Sequence, residues 1–123
     1  MNLDSFKSQI ITTVLPRDVY QNPGGGTSSI ESISENGITY KRGKSKIYIS
    51  FSDMYSAYTH FKKKYITSND LKKFAPDVFD SDARPAGHSC NCTFLFTALY
   101  KLGLAGALSG EGVRGNPFGA EIL

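Results

Sequence analysis

"CNCTFLFTALYKLGLA", residues 90–105, decides the fold class. Phe94, Leu95, Ala98, Leu99 and Leu102 recur at the three- and four-residue steps of an amphipathic helix, and Gly103 stands where such a helix stops. The spacing predicts a helix over 92–102, entered through the polar run His88, Ser89 and Asn91. Upstream, "ITSNDLKKFAPDVF" (66–79) predicts a short strand at Ile66 and a helix behind it. Thr67 or Ser68 caps that helix, Asp70 sits in its first turn, Leu71 and Phe74 face inward, and Pro76 kinks or restarts it. Turn formers fill 80–89, and "LAGALSGEGVRGNPFGAEIL" (104–123) places two short apolar runs around a glycine-rich loop carrying Arg114, the pattern of a β-hairpin with an extended tip.

The N-terminal half reads as a second set of elements. Phe6, Ile10 and Val14 form a helical stripe over 4–15, with Asp4 as cap and Pro16 as terminator. "QNPGGGTSS" (21–29) is a loop; no Lys-Ser or Lys-Thr pair follows the glycines as a phosphate-binding loop requires. From 28 to 51 the period changes to two, with hairpin turns at Asn36-Gly37 and Arg42-Gly43, which predicts a three-stranded antiparallel meander. Ile47, Ile49 and Phe51 share one face; Lys46, Tyr48 and Ser50 share the other. Ser52 then caps a helix to about Lys64 that turns Met54, Ala57, Tyr58 and Phe61 inward.

At 123 residues, with 40% apolar and 20% charged side chains, the chain fits one folded domain over 1–123, not a disordered segment. No window approaches the ~18 apolar residues of a membrane span, and Lys7, Ser8 and Gln9 interrupt the N-terminal apolar stretch, so neither a span nor a signal peptide is expected. Cys90 and Cys92, separated by one residue, are poorly placed for a disulfide with each other, which suits a reducing cytoplasmic setting. The net charge of +3 is unevenly spread. Between Lys41 and Lys73 nine basic side chains face two aspartates, a local +7 that leaves −4 for the rest. Such a basic middle is the footprint of a polyanion-binding protein, although lysines also solvate helix ends and sheet edges.

The order strand, helix, connection, amphipathic helix and hairpin with a basic glycine-rich tip resembles the winged helix-turn-helix superfamily of DNA-binding proteins. The resemblance covers about 66–123 and is carried by "TSNDLKKF", "CNCTFLFTALYKLGL" and "GEGVRGNPF"; the connection from Phe79 to Cys90 is longer than the three- to four-residue turn of the family. It implies an α+β, winged-helix-like fold, with 1–65 as helix, β-meander and helix, and 66–123 as the winged-helix-like part. It also implies non-catalytic binding of double-stranded DNA, in a regulatory or DNA-processing role and in the cytoplasm or nucleoid. In this reading the helix enters the major groove N-terminal end first, bringing His88, Ser89, Asn91, Thr93 and Thr97 to base edges, while Arg114 and Asn116 make the wing contacts. Lys41, Arg42, Lys44 and Lys46 on the hairpin tip, Lys72 and Lys73 on the preceding helix, and Arg84 in the connection hold phosphates.

Three other chemistries draw on the same residues. His88, Cys90 and Cys92 have ligand-type side chains, but a zinc site needs a fourth, from Asp80 or Asp82, and His60 lies on another helix, so no metal and no cofactor is expected. Asp77, Asp80 and Asp82 are the carboxylates a small metal-dependent nuclease would use. The acidic 77–82 stretch, or an apolar surface at Phe94 and Phe96, would serve a protein-interaction module or inhibitor with a protein partner or a second copy. Phe96 falls toward the polar side of its helix, which calls for either a larger core or an interface.

Overall fold

The computed structural model describes residues 1–83 and 87–123. Their architecture is mixed α+β, with a four-stranded antiparallel sheet and five helices among the described residues. The first helix, α1 (Leu3–Thr13), begins one residue before the expected Asp4 cap. Asn2 caps it instead, and its side chain and that of Ser5 each accept from the other's backbone N–H. Phe6, Ile10 and Val14 are buried, as their spacing predicted.

The meander has one strand more than expected. β1 (Val19–Gln21) pairs with β2 (Thr27–Ile33), which pairs with β3 (Gly37–Arg42), which pairs with β4 (Ser45–Ser50). In the β3–β4 ladder Ile38 faces Ile49 and Tyr40 faces Ile47, so these four buried side chains line the inner face. Helix α2 (Phe51–Phe61) follows directly, capped by Ser50, whose Oγ accepts from Asp53 N, and not by Ser52. Met54, Ala57 and Tyr58 are buried on it, and Phe6 of α1 packs on Tyr55 and Tyr58.

The second half starts with β5 (Tyr65–Thr67) and α3 (Ser68–Phe74), whose capping box joins Thr67 and Asp70 as the sequence indicated. Pro76 restarts the helix as the short α4 (Pro76–Phe79), because Ala75 adopts a non-helical conformation ahead of proline. Helix α5 (Cys90–Lys101) starts two residues earlier than predicted and ends as predicted, at Gly103 with φ +74. The last strand, β6 (Gly119–Glu121), pairs along its length with β5. Isolated bridges join Ala105 to Ile122 and Ser109 to Gly119. The expected hairpin partner is therefore present only as these bridges, and β6 is held between β5 and the 105–109 segment.

Helix α5 is the centre of the molecule. Asn91, Cys92, Phe94, Leu95, Phe96, Ala98 and Leu99 are buried on it. Phe94 stacks on Tyr40 with ring centroids 4.3 Å apart and planes 4° from parallel. The meander thus covers one side of α5, while α3 and α4 contact it elsewhere. Phe96, only 1% exposed, completes this core, so of the two roles open to it the larger core holds. No helix among the described residues is long and apolar enough to cross a membrane.

Candidate functional site

A cleft of about 410 Å³ opens where four parts of the chain meet. The end of β3 contributes Arg42, α3 contributes Ser68, Asn69 and Lys72, the start of α5 contributes Ser89, Cys90, Cys92 and Thr93, and the glycine-rich loop contributes 112–115, Pro117 and Phe118. Among the described residues its cations are Arg42, Lys72 and Arg114, and no carboxylate lines it. Among the described residues the one ion pair is Lys46 with Glu31 at 3.0 Å, far from balancing any of these three. The positive end of the α5 backbone dipole adds to their field.

Strand alternation brings Arg42 here. Tyr40 and Arg42 share the inner face of β3, so the chain that stacks Tyr40 on α5 carries the Arg42 guanidinium to the start of that helix, where Nη1 donates to Cys90 Sγ at 3.3 Å. Lys41 pairs across the ladder with Lys46 and lies on the opposite face. Lys44 is exposed in the turn. The expected basic tip is therefore divided: Arg42 enters the cleft, and Lys41, Lys44 and Lys46 do not line it. Lys72 and Lys73 divide likewise, because Lys72 lines the cleft and Lys73 is exposed outside it.

The loop wall is held by its own hydrogen bonds. Asn116 O accepts from the N–H groups of Glu111, Gly112 and Val113, and Asn116 N donates to Val113 O. Asn116 Nδ2 donates to Glu111 Oε1 at 3.1 Å, so this side chain braces the loop and does not line the cleft as the expected wing contact Arg114 does. Gly112, at φ +72, leaves no room for a Cβ against the Phe118 ring, which lets the loop close onto that ring.

The largest departure from the sequence reading concerns Asn91. It was expected at a base edge, yet it is 1% exposed and both ends of its amide are committed. Tyr40 Oη donates to Asn91 Oδ1 at 2.8 Å, and Asn91 Nδ2 donates to Val78 O at 2.9 Å. The side chain joins the sheet to α4, and it borders a second cleft and not the cationic one. His88 also leaves the expected set: it lines a second cleft of about 330 Å³ with Asp53, Asp77, Lys46 and Tyr48, whereas Cys90 and Cys92 line the first. Ser89 lines the cationic cleft but its Oγ accepts from Ser81, and Thr93 Oγ1 donates to Cys90 O at 3.2 Å. Thr97 is half-buried outside the cleft. Arg84 lies outside the described residues.

The thiols and carboxylates are likewise dispersed. Cys92 is 1% exposed, and burial pushes its thiol up to about 12. Among the described residues no three His, Cys, Asp or Glu side chains are grouped to hold a metal ion. Asp80 Oδ1 accepts from Asp82 N, a turn contact, and Asp77 faces the second cleft. Both cysteines are free.

Sequence reasoning missed Asn69, Cys90, Gly112 and Phe118 as cleft residues. The repeated glycines on either side of Arg114 were the available signal for a loop pressed against its own aromatic ring. Comparison of the chain with protein-family models, curated proteins and solved structures found no match.

Proposed function

We propose that this protein binds double-stranded DNA without chemistry, through the cationic cleft and its rims. The observation that carries the reading is that Arg42, Lys72 and Arg114, brought from three separate parts of the chain, line one cleft with no carboxylate in its walls among the described residues. Cations gathered without counter-charges repel one another, and an anionic ligand relieves that cost. Phosphates are the anions such a surface meets on DNA, and helix N-termini add N–H donors to the same groups.

The winged-helix reading of 66–123 is part of this proposal. What supports it is the place of β6 between β5 and the 105–109 segment; the order β5, α3, α4, α5, β6 differs from that of the winged-helix family. The added α4, the long connection before α5 and the meander over α5 depart from the family pattern. With Asn91 turned inward, α5 approaches DNA by its N-terminal end, and Thr93 and Ser89 are the polar side chains left to meet it.

The test is a titration of random-sequence duplex across a salt series. The logarithm of affinity should fall linearly with the logarithm of salt, by about 0.9 per phosphate neutralised. Arg42→Ala, Lys72→Ala and Arg114→Ala should each lower that slope by about one contact, whereas Lys41→Ala should leave it nearly unchanged. No binding at low salt, or equal losses from Lys41 and Arg42, would overturn the proposal.

A further inference from the structure

We infer that the cleft seats one nucleotide standing out from the duplex, a strand end or an extruded nucleotide, with its phosphate on the cations and its base on the loop wall. This rests on the DNA-binding reading and narrows it to a substrate class. The argument begins with shape. A duplex presents its phosphates on a convex surface with a major groove ~12 Å wide, and such a surface rides over a concavity without filling it. The cleft, at about 410 Å³, has the size of a site for a small molecule. A group that enters it must protrude.

The walls match the two halves of a nucleotide. Arg42 and Lys72 come from β3 and α3, and Arg42 makes its side-chain hydrogen bond to a thiol, which leaves its charge unbalanced. Val113, Pro117 and Phe118 are apolar lining from the same loop that carries Arg114. A base offers an apolar face for such a wall and a phosphate offers the charge that the cations lack. The loop is braced before any ligand arrives, by three N–H groups on Asn116 O and by the Asn116 to Glu111 bond, so little ordering cost remains for binding.

Four short duplexes of one sequence test this: one closed by covalent loops at both ends, one blunt with 5′-hydroxyls, one blunt with 5′-phosphates, and a closed one carrying a mismatched 2-aminopurine. The expected result is that the 5′-phosphate duplex, the mismatch duplex or both bind about tenfold tighter than the closed matched one, the weight of one charge-assisted hydrogen bond. Preference for the 5′-phosphate identifies a strand end as the occupant. Preference for the mismatch, with a rise in 2-aminopurine fluorescence, identifies an extruded nucleotide. Arg114→Ala, a change at an exposed position, should cost the closed duplex about one phosphate contact and in addition erase the preference among the four duplexes. Equal affinity for all four duplexes would overturn the inference and leave DNA binding standing. Failure to bind any of them would remove the DNA reading and this inference together.

Discussion

Asn91→Ala is expected to damage the fold and to leave DNA sequence preference alone. The substitution removes the acceptor of Tyr40 Oη and the donor to Val78 O, at 2.8 and 2.9 Å, from a residue that is 1% exposed. Tyr40 Oη is left buried without a partner, at about 1–3 kcal/mol, and the lost bond to Val78 O, which keeps the His88 N–H, adds about 0.5–1.5 kcal/mol, so the two amount to about 1.5–4.5 kcal/mol. That is a large share of the ~5–15 kcal/mol that holds a typical domain folded. In urea, with a denaturant slope of about 2 kcal/mol per molar, the unfolding midpoint should drop by about 0.8–2 M. Tyr40→Phe should cost less, because it orphans one acceptor and keeps the ring stacked on Phe94. A double-mutant cycle should then return a coupling of about 0.5–3 kcal/mol between the two positions. Purely additive losses would refute the hydrogen bond as a stabilising contact. A midpoint shift under ~0.3 M, below the cost of one orphaned group, or a folded variant that has lost base preference, would refute the buried role of Asn91 altogether.

Gly112→Ala forces a Cβ into the Phe118 ring at φ +72 and should cost about 1–2 kcal/mol in thermal unfolding while weakening DNA binding; an unchanged affinity would show that the loop wall is not used. A thiol reagent should modify Cys90, half-buried at the cleft, at once and Cys92 only as fast as the protein opens; simultaneous reaction of both in the native state would contradict the burial of Cys92. Stability should decline between pH 9 and 12. The unfolded Cys92 thiol ionises near its ordinary 9.0 while the folded one holds its proton to about 12, so the unfolded state binds fewer protons there and the loss runs at up to about 1.4 kcal/mol per pH unit. The Tyr20 and Tyr40 phenols, raised by burial above their ordinary 10.0, add to that decline from pH 10 upward, and a stability flat across this range in urea titrations would refute the account.

The elements legible in the sequence are those whose signals are local. The stripe of Phe6, Ile10 and Val14, the Thr67–Asp70 cap, the restart at Pro76 and the stop at Gly103 each depend on residues within a turn or two of one another. β1 was missed because three residues with an exposed Val19 carry no alternation; its identity comes from pairing with β2. The direction of Asn91 was illegible for a stronger reason. Its partner Tyr40 is 51 residues away, and no local pattern tells which face of α5 the meander takes. Of the basic residues, Arg42 and Lys72 reached the cleft and their neighbours Lys41 and Lys73 did not, a division set by strand and helix geometry that a count of charges along the chain averages away.

The stacking of Tyr40 on Phe94 also sets an order of events during synthesis. The ribosome makes Tyr40 well before Phe94, and at ~5–20 residues per second the 51 residues between Tyr40 and Asn91 take about 3–10 s to follow. Through that interval the apolar face of Ile38, Tyr40, Ile47 and Ile49 lacks the α5 residue Phe94 that stacks on Tyr40 in the folded protein. The nascent chain is then most open to chaperones and to its own neighbours. Fragments ending before α5 should accumulate as aggregates, and slower translation of the 52–89 segment should lengthen the exposure.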